Sequence, residues 1–207
     1  MFFIAFRLAN SLPAHIVREL DEQREREKKN LLAKFSGAKL HEEFYNLEEK
    51  HFGRFDSWLD RCIEKSPCWL AEERIARIVV EEILKLEGER YSLIAYCIMS
   101  NHCHLVVDTG EHIFKPDHIG VTARYPLADT LKLLKGRTAR YCNQALGRSG
   151  AFWHHESYDH VVRNQKEYER IVWYIASNPV KAGLVENREA WKFTFVTRDY
   201  FCHKEQP

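Results

Sequence analysis

What this 207-residue sequence leaves out narrows its function first. It has no G-x-x-x-x-G-K-[ST] segment, so no phosphate-cradling loop for ATP or GTP is expected. None of its six cysteines (Cys62, Cys68, Cys97, Cys103, Cys142 and Cys202) forms a C-x-x-C pair. That excludes a zinc ribbon or a thioredoxin-like motif and suits reduced thiols in a cytoplasmic protein. No apolar run approaches the length that crosses a bilayer, so no membrane association is expected. The opening "MFFIAFRLANSLP" lacks a basic segment ahead of its apolar stretch, which Arg7 interrupts, so it reads as a first strand leading into a helix rather than a secretion signal. So abrupt an entry into a core strand points to further residues upstream. Charge nearly cancels at +1, giving no global pull toward nucleic acid. Internal repeats and low-complexity tracts are absent.

What is present is a core. A hydrophobic share of 45% with 13% aromatics is enough for one well-buried domain carrying a helical insertion. Phe2 to Leu8 reads as a strand buried on both faces, and Ser11-Leu12-Pro13 opens a helix running to about Asn30. The charge alternation in "RELDEQREREKKN" fits a solvated helix face. Residues 36–67, interrupted by Gly37, Gly53 and Pro67, read as an insertion of short helices. Leu70, Ile75, Ile78, Val79, Ile83 and Leu86 mark a helix ending before Gly88. "RYSLIAYCIM" and "CHLVVD" follow as a hairpin, residues 109–125 as a loop, and Leu127 to about Leu146 as a helix. "SYDHVVR" is a strand, and "QKEYERIVWYIAS" a helix that should stop near Asn178 because Pro179 follows. The order β-α-(insertion)-α-β-β-α-β-α implies an α+β fold, a ferredoxin-like sandwich whose largely antiparallel sheet is covered by helices.

"MSNHCHLVVD" carries the first chemical signal. Strand side chains alternate, so His102 and His104 project to one face and Cys103 to the other. A His-x-His pair can hold a metal ion or serve as two polar residues of a solvated sheet face, and by itself it does not choose. Zinc held by Cys97, His102, Cys103 and His104 is disfavoured, because Cys103 points away. Asp108 shares the histidine face near a turn, where solvation accounts for it. On the later helix, Tyr174 and Asn178 stand one turn apart and share a face. Each alone has an ordinary reading, a boundary tyrosine and a helix cap. Taken with the strand, they suggest a metal held by two imidazoles and an amide oxygen, with a phenol one turn away.

"YSLIAYCIMSNHCHLVV" followed by "FWHHESYDHVVRNQKEYERIVWYIASNPVKAGLV" resembles the single-tyrosine HUH transposases, and within them the REP-associated tyrosine transposases. The resemblance extends weakly to "FFIAFRLANSLP" and "WLAEERIARIV", sparing only the 36–67 insertion. It implies one HUH transposase domain over residues 1–207. The family's metal-binding histidines fall on His102 and His104, its nucleophile on Tyr174 and its helix-borne amide on Asn178. Two departures stand out: Ser100 where the family has proline, and Cys103 where it has a bulky aliphatic. Neither changes the histidine spacing.

The implied activity is cleavage and rejoining of single-stranded DNA at hairpin-forming repetitive palindromes, through a 5′-phosphotyrosine intermediate, with Mg²⁺ or Mn²⁺ as cofactor. Single-stranded or hairpin DNA is the implied partner, and the protein is expected to be a cytoplasmic monomer or homodimer. Local charge agrees with a DNA partner: from Val121 to Val185 ten basic residues face five acidic ones. Lys132, Lys135, Arg137, Arg140 and Arg163 are the candidate DNA-binding residues, with Phe152, Trp153 and Tyr158 as candidates for base stacking. His155 and His160 are expected to be structural or DNA-facing. Two competing readings remain open on sequence: a non-catalytic nucleic-acid-binding protein of the same fold, and a metal-dependent hydrolase in which Tyr174 is structural.

Overall fold

A computed structural model describes residues 1–62, 66–110 and 126–197. The chain divides into two compact units, Asn10–Pro67 on one side and Met1–Ala9 with Cys68–Pro207 on the other.

The larger unit is built on a five-stranded antiparallel sheet. Its strands are β1 (Phe2–Arg7), β2 (Ser92–Ile98), β3 (His102–Asp108), β4 (Tyr158–Val161) and β5 (Thr194–Val196), in the spatial order β4-β1-β3-β2-β5. The fold is the expected α+β sandwich. Strand β3 is central, flanked by β1 and β2, so six of its seven residues are buried. Alternation then sorts them. Cys103, Leu105 and Val107 join Ile4, Phe6 and Ile98 in the main core, against helices α3 (Glu73–Leu86) and α4 (Pro126–Ala145). Helix α3 presents Ile75, Val79, Ile83 and Leu86 to that core, all fully buried. It ends at Glu87, ahead of Gly88, whose φ of +77° a residue with a side chain rarely adopts. Helix α5 (Gln165–Lys181) packs on β2, β3 and β5.

The smaller unit is a helical hairpin of α1 (Ala14–Lys34) and α2 (Gly37–Arg61). Arg24 and Arg54 cross between them to Glu48 and Glu27, at 2.6 and 2.7 Å. The short helices expected over residues 36–67 are therefore one 25-residue helix. Gly53 lies inside it; an interior glycine costs about 1 kcal/mol relative to alanine, less than the paired helix recovers. Helix α1 likewise runs four residues beyond Asn30.

Two further boundaries differ from expectation. Strand β5 is only three residues long and depends on β2 for its hydrogen-bonded edge, so no local pattern marks it. Helix α5 does not stop at Asn178 but carries Pro179 inside it. Its true stop is Gly183, at φ +71°, where the Gly183 N–H donates to the Val180 carbonyl and the Leu184 N–H to the Pro179 carbonyl. The expected loop at 109–125 lies largely outside the described residues, as do Arg124 and Cys202. Cys62, Cys68, Cys97, Cys103 and Cys142 are all free thiols. No helix among the described residues is long and apolar enough to cross a membrane.

Candidate metal and tyrosine site

The sheet face opposite the main core holds the site. Register places Arg7 beside His102, and Ala5 and Cys97 on either side of His104. Both imidazoles are almost wholly buried, at 1% and 0% exposure, and their ring centroids are 4.7 Å apart at an interplanar angle of 80°. His102 Nδ1 lies 2.7 Å from Asn101 Oδ1. An amide oxygen only accepts, so that contact places a proton on Nδ1, and in the neutral ring the lone pair then belongs to Nε2. A neighbour that fixes the tautomer in this way is what a metal-binding imidazole requires.

Helix α5 brings the tyrosine. Asn164 caps its start by accepting from the Glu167 N–H at 3.0 Å, and buried Glu167 accepts in turn from His160 on β4, 2.9 Å away. This fixes the helix against the sheet two turns before Tyr174. The Tyr174 ring meets His104 edge-on at 5.5 Å. Phe3 of β1 stacks on His104 at 5.8 Å and meets Tyr174 edge-on at 6.3 Å, so one buried ring braces both groups. Lys181, two turns further on, sets its ammonium 5.1 Å from the Tyr174 ring centre.

Asn178 is fully buried, and neither its Oδ1 nor its Nδ2 has a hydrogen-bond partner among the described residues. A buried amide left in this state costs about 1–3 kcal/mol. An ion or an ordered water can complete a group in this state. Two imidazole nitrogens and an amide oxygen make a donor set suited to a divalent ion of the Mg²⁺ or Mn²⁺ kind.

The fold thus joins His102, His104 and Tyr174 in contact, with Asn178 one turn along on the same helix. It does not gather the basic residues there. Lys132, Arg137 and Arg140 are exposed on α4, which packs on the other sheet face. The Lys135 ammonium is engaged internally, donating to the His154 and His155 carbonyls and to Ser157 Oγ at 2.8–3.0 Å. Burial and the charge of Arg7 pull Lys135 down to about 8. Arg163 is half exposed and 3.7 Å from Glu167. Phe152 and Trp153 are core residues, and Trp153 donates to Thr138 Oγ1 at 2.8 Å, so neither is presented to a base. Tyr158 is half buried. Cys103 lies in the core, opposite the imidazoles, and Asp108 bonds the amino terminus and the Gly110 N–H. Sequence reading missed Phe3, Asn101 and Lys181. The Asn-His adjacency was visible in "SNHCH", but the roles of the other two depend on strand register and helix phase.

A central antiparallel strand with two buried histidines, one in contact with a tyrosine of helix α5, defines the class: an α+β sandwich with a histidine-and-tyrosine face. Comparison with known proteins points to one family within it. The chain is 26% identical over 110 residues to a Haemophilus influenzae protein described as a "Putative REP-associated tyrosine transposase", a match covering 53% of this chain and 61% of that protein. It superposes over its full length on 81% of a solved REP-associated tyrosine transposase bound to a REP hairpin, with a TM-score of 0.53 and 17% identity. The first match bears out the resemblance to REP-associated tyrosine transposases, and the second shows that the fold is shared. No protein-family model matches the chain.

Proposed function

We propose that this protein is a metal-dependent single-tyrosine transposase of the HUH type, one that cuts and rejoins single-stranded DNA at hairpin-forming palindromes and works in the cytoplasm. The observation carrying the proposal is the contact between Tyr174 and His104, on a helix whose next turn carries a buried amide with no hydrogen-bond partner among the described residues.

His102 Nε2, His104 and the Asn178 amide oxygen would hold Mg²⁺ or Mn²⁺, which when bound withdraws charge from a non-bridging phosphate oxygen. Tyr174 Oη attacks the scissile phosphorus. The bond from phosphorus to the 3′-oxygen breaks as the bond to Oη forms, leaving a 3′-hydroxyl and a 5′-phosphate on the enzyme. Attack by a different 3′-hydroxyl reverses the step and releases the phenol, so the bond energy is conserved and no nucleotide cofactor is needed. A free phenol has a pKa of about 10 and must lose its proton during attack. The Lys181 ammonium over the ring favours the charge that develops on it. Phe3 holds the ring and the imidazole in place while this happens. Because one chain supplies every one of these groups, the tyrosine serves its own histidine pair and a monomer suffices.

Purified protein, Mn²⁺ and a labelled hairpin oligonucleotide, resolved on a denaturing gel, test the reading. The expected product is a covalent protein–DNA adduct, absent from Tyr174→Phe and from His102→Ala. Cleavage that survives in Tyr174→Phe, or no adduct with hairpin or single-stranded substrates, overturns it.

A further inference from the structure

Strand β2 lays a pair of sulfurs beside the imidazoles. Alternation sends Tyr96 and Ile98 into the main core and leaves Cys97 on the histidine face, directly opposite His104 in the sheet register. Met99 reaches the same face, and its N–H donates to the His102 carbonyl at 2.9 Å, closing the turn between β2 and β3. Cys97 and Met99 are as buried as the histidines, at 0% and 1% exposure. The Cys97 thiol donates to Met99 Sδ, with the two sulfurs 3.4 Å apart, and Thr194 of β5 donates its hydroxyl to Cys97 Sγ at 3.3 Å. One hairpin thus gathers a thiol, a thioether and two imidazoles on one face. Cys103, which lies between the histidines in sequence, stays in the core.

Neither sulfur suits a hard ion. Mg²⁺ and Mn²⁺ favour oxygen donors, whereas a thiolate joined by a thioether selects soft monovalent copper. Zinc takes thiolate, imidazole and carboxylate as its usual donors but not thioether, so Met99 is what turns the choice to copper. A proton shared between two sulfurs stands where a soft cation would stand, and two metal–sulfur bonds of about 2.3 Å bridge such a gap. The Thr194 hydroxyl then supports the thiolate, as an outer hydrogen bond supports the ligands of other metal sites.

We propose that Cys97, Met99 and His104 form a binding site for monovalent copper. As the copper–thiolate bond forms, the S–H bond breaks and its proton leaves to solvent; the copper keeps its oxidation state. This donor set differs from the one read above for Mg²⁺ or Mn²⁺, which uses His102, His104 and Asn178 and no sulfur. His104 belongs to both. Resting on that reading, copper and the hard ion exclude one another, and copper occupancy shuts the tyrosine chemistry off.

Anaerobic titration of the full-length protein with Cu⁺, against bicinchoninate as a coloured competitor, tests the site without DNA. One Cu⁺ per chain is expected, with both sulfur and nitrogen in its X-ray absorption spectrum. Cys97→Ser and Met99→Leu, the second of which keeps volume and apolarity, should each lower Cu⁺ affinity by about tenfold or more. Cys68→Ser removes a half-buried thiol elsewhere and should leave that affinity unchanged. Calorimetry should find no Mn²⁺ binding to the copper-loaded protein, and wild-type Mn²⁺ affinity in copper-free Met99→Leu. Wild-type Cu⁺ affinity in both sulfur variants, or copper with no sulfur around it, overturns the proposal. Copper-loaded protein that still binds Mn²⁺ overturns the sharing of His104. Copper bound through these sulfurs in a protein that forms no DNA adduct sustains the site and overturns only the transposase reading.

Discussion

Phe3 and His104 stack at 5.8 Å with their rings only 18° from parallel, and Tyr174 closes against both edges. A residue of the first strand therefore sets the geometry between a candidate ligand and a candidate nucleophile drawn from two other elements. Phe3→Leu keeps an apolar side chain but removes the flat surface. It should cost about 1–2 kcal/mol of stability, measured by urea unfolding, and reduce adduct yield by a larger factor than it reduces Mn²⁺ affinity. Equal losses in both would show that Phe3 merely supports the fold.

Asn178 offers a sharper test, because its stability effect should run against its functional one. Asn178→Leu replaces a buried amide that has no partner among the described residues with an apolar group of similar size. Apoprotein should become more stable by about 1 kcal/mol, while Mn²⁺ binding measured by calorimetry weakens. Destabilisation by more than about 2 kcal/mol would mean that the amide is satisfied in solution.

Asn101 acts through His102. Removing its side-chain oxygen in Asn101→Ala leaves both imidazoles in place but frees the His102 tautomer. Mn²⁺ affinity should drop about 10- to 100-fold with the far-ultraviolet circular dichroism spectrum preserved. Wild-type affinity in this variant would remove Asn101 from the site.

Lys135 predicts a pH effect. Its folded pKa is pulled down to about 8 by burial and by Arg7, against an ordinary value of 10.5. Between these values the unfolded chain binds the extra proton, so stability from this residue rises with pH from about 8 to 10.5. Urea midpoints at pH 7.5 and 9.5 should therefore shift upward more in the wild type than in Lys135→Met. The variant should also be less stable at pH 7.5, by about 1–3 kcal/mol, since the carbonyls of residues 154 and 155 lose their donor.

Thiol chemistry checks the placement of the sheet. Burial raises the thiol of Cys142 to about 12 and pushes that of Cys103 well above its ordinary value. Both should resist iodoacetamide at pH 8 in the native protein and react once it is unfolded, read by mass spectrometry. Rapid native labelling of Cys103 would place it on the histidine face and contradict the register.

The elements that sequence alone determined are those with strong local periodicity. Alternation in "HCHLVVD" put His102 and His104 on one face, and helical phase put Tyr174 and Asn178 on another, because neither relation needs a distant partner. Stops were less legible. Pro179 looks like a helix end, yet the backbone runs on to Gly183, where a left-handed residue returns the last N–H groups to open carbonyls. Strand β5 and the long α2 were hidden for a related reason: three residues become a strand only when β2 offers an edge, and Gly53 is tolerated only with α1 alongside. The division of the basic residues was also invisible. Lys135 and Lys132 are both lysines of one helix, but only packing decides that the first is spent on backbone carbonyls and the second faces solvent.

Sequence determined which side chains carry chemistry and which neighbours share their face. Tertiary structure alone decided that a tyrosine ring from helix α5 meets an imidazole from the central strand, and that the helix-borne cations of α4 lie across the sheet from it. Periodicity is a property of one segment. Contact between segments is fixed by strand order and by which face each helix covers, and those depend on burying the whole core at once.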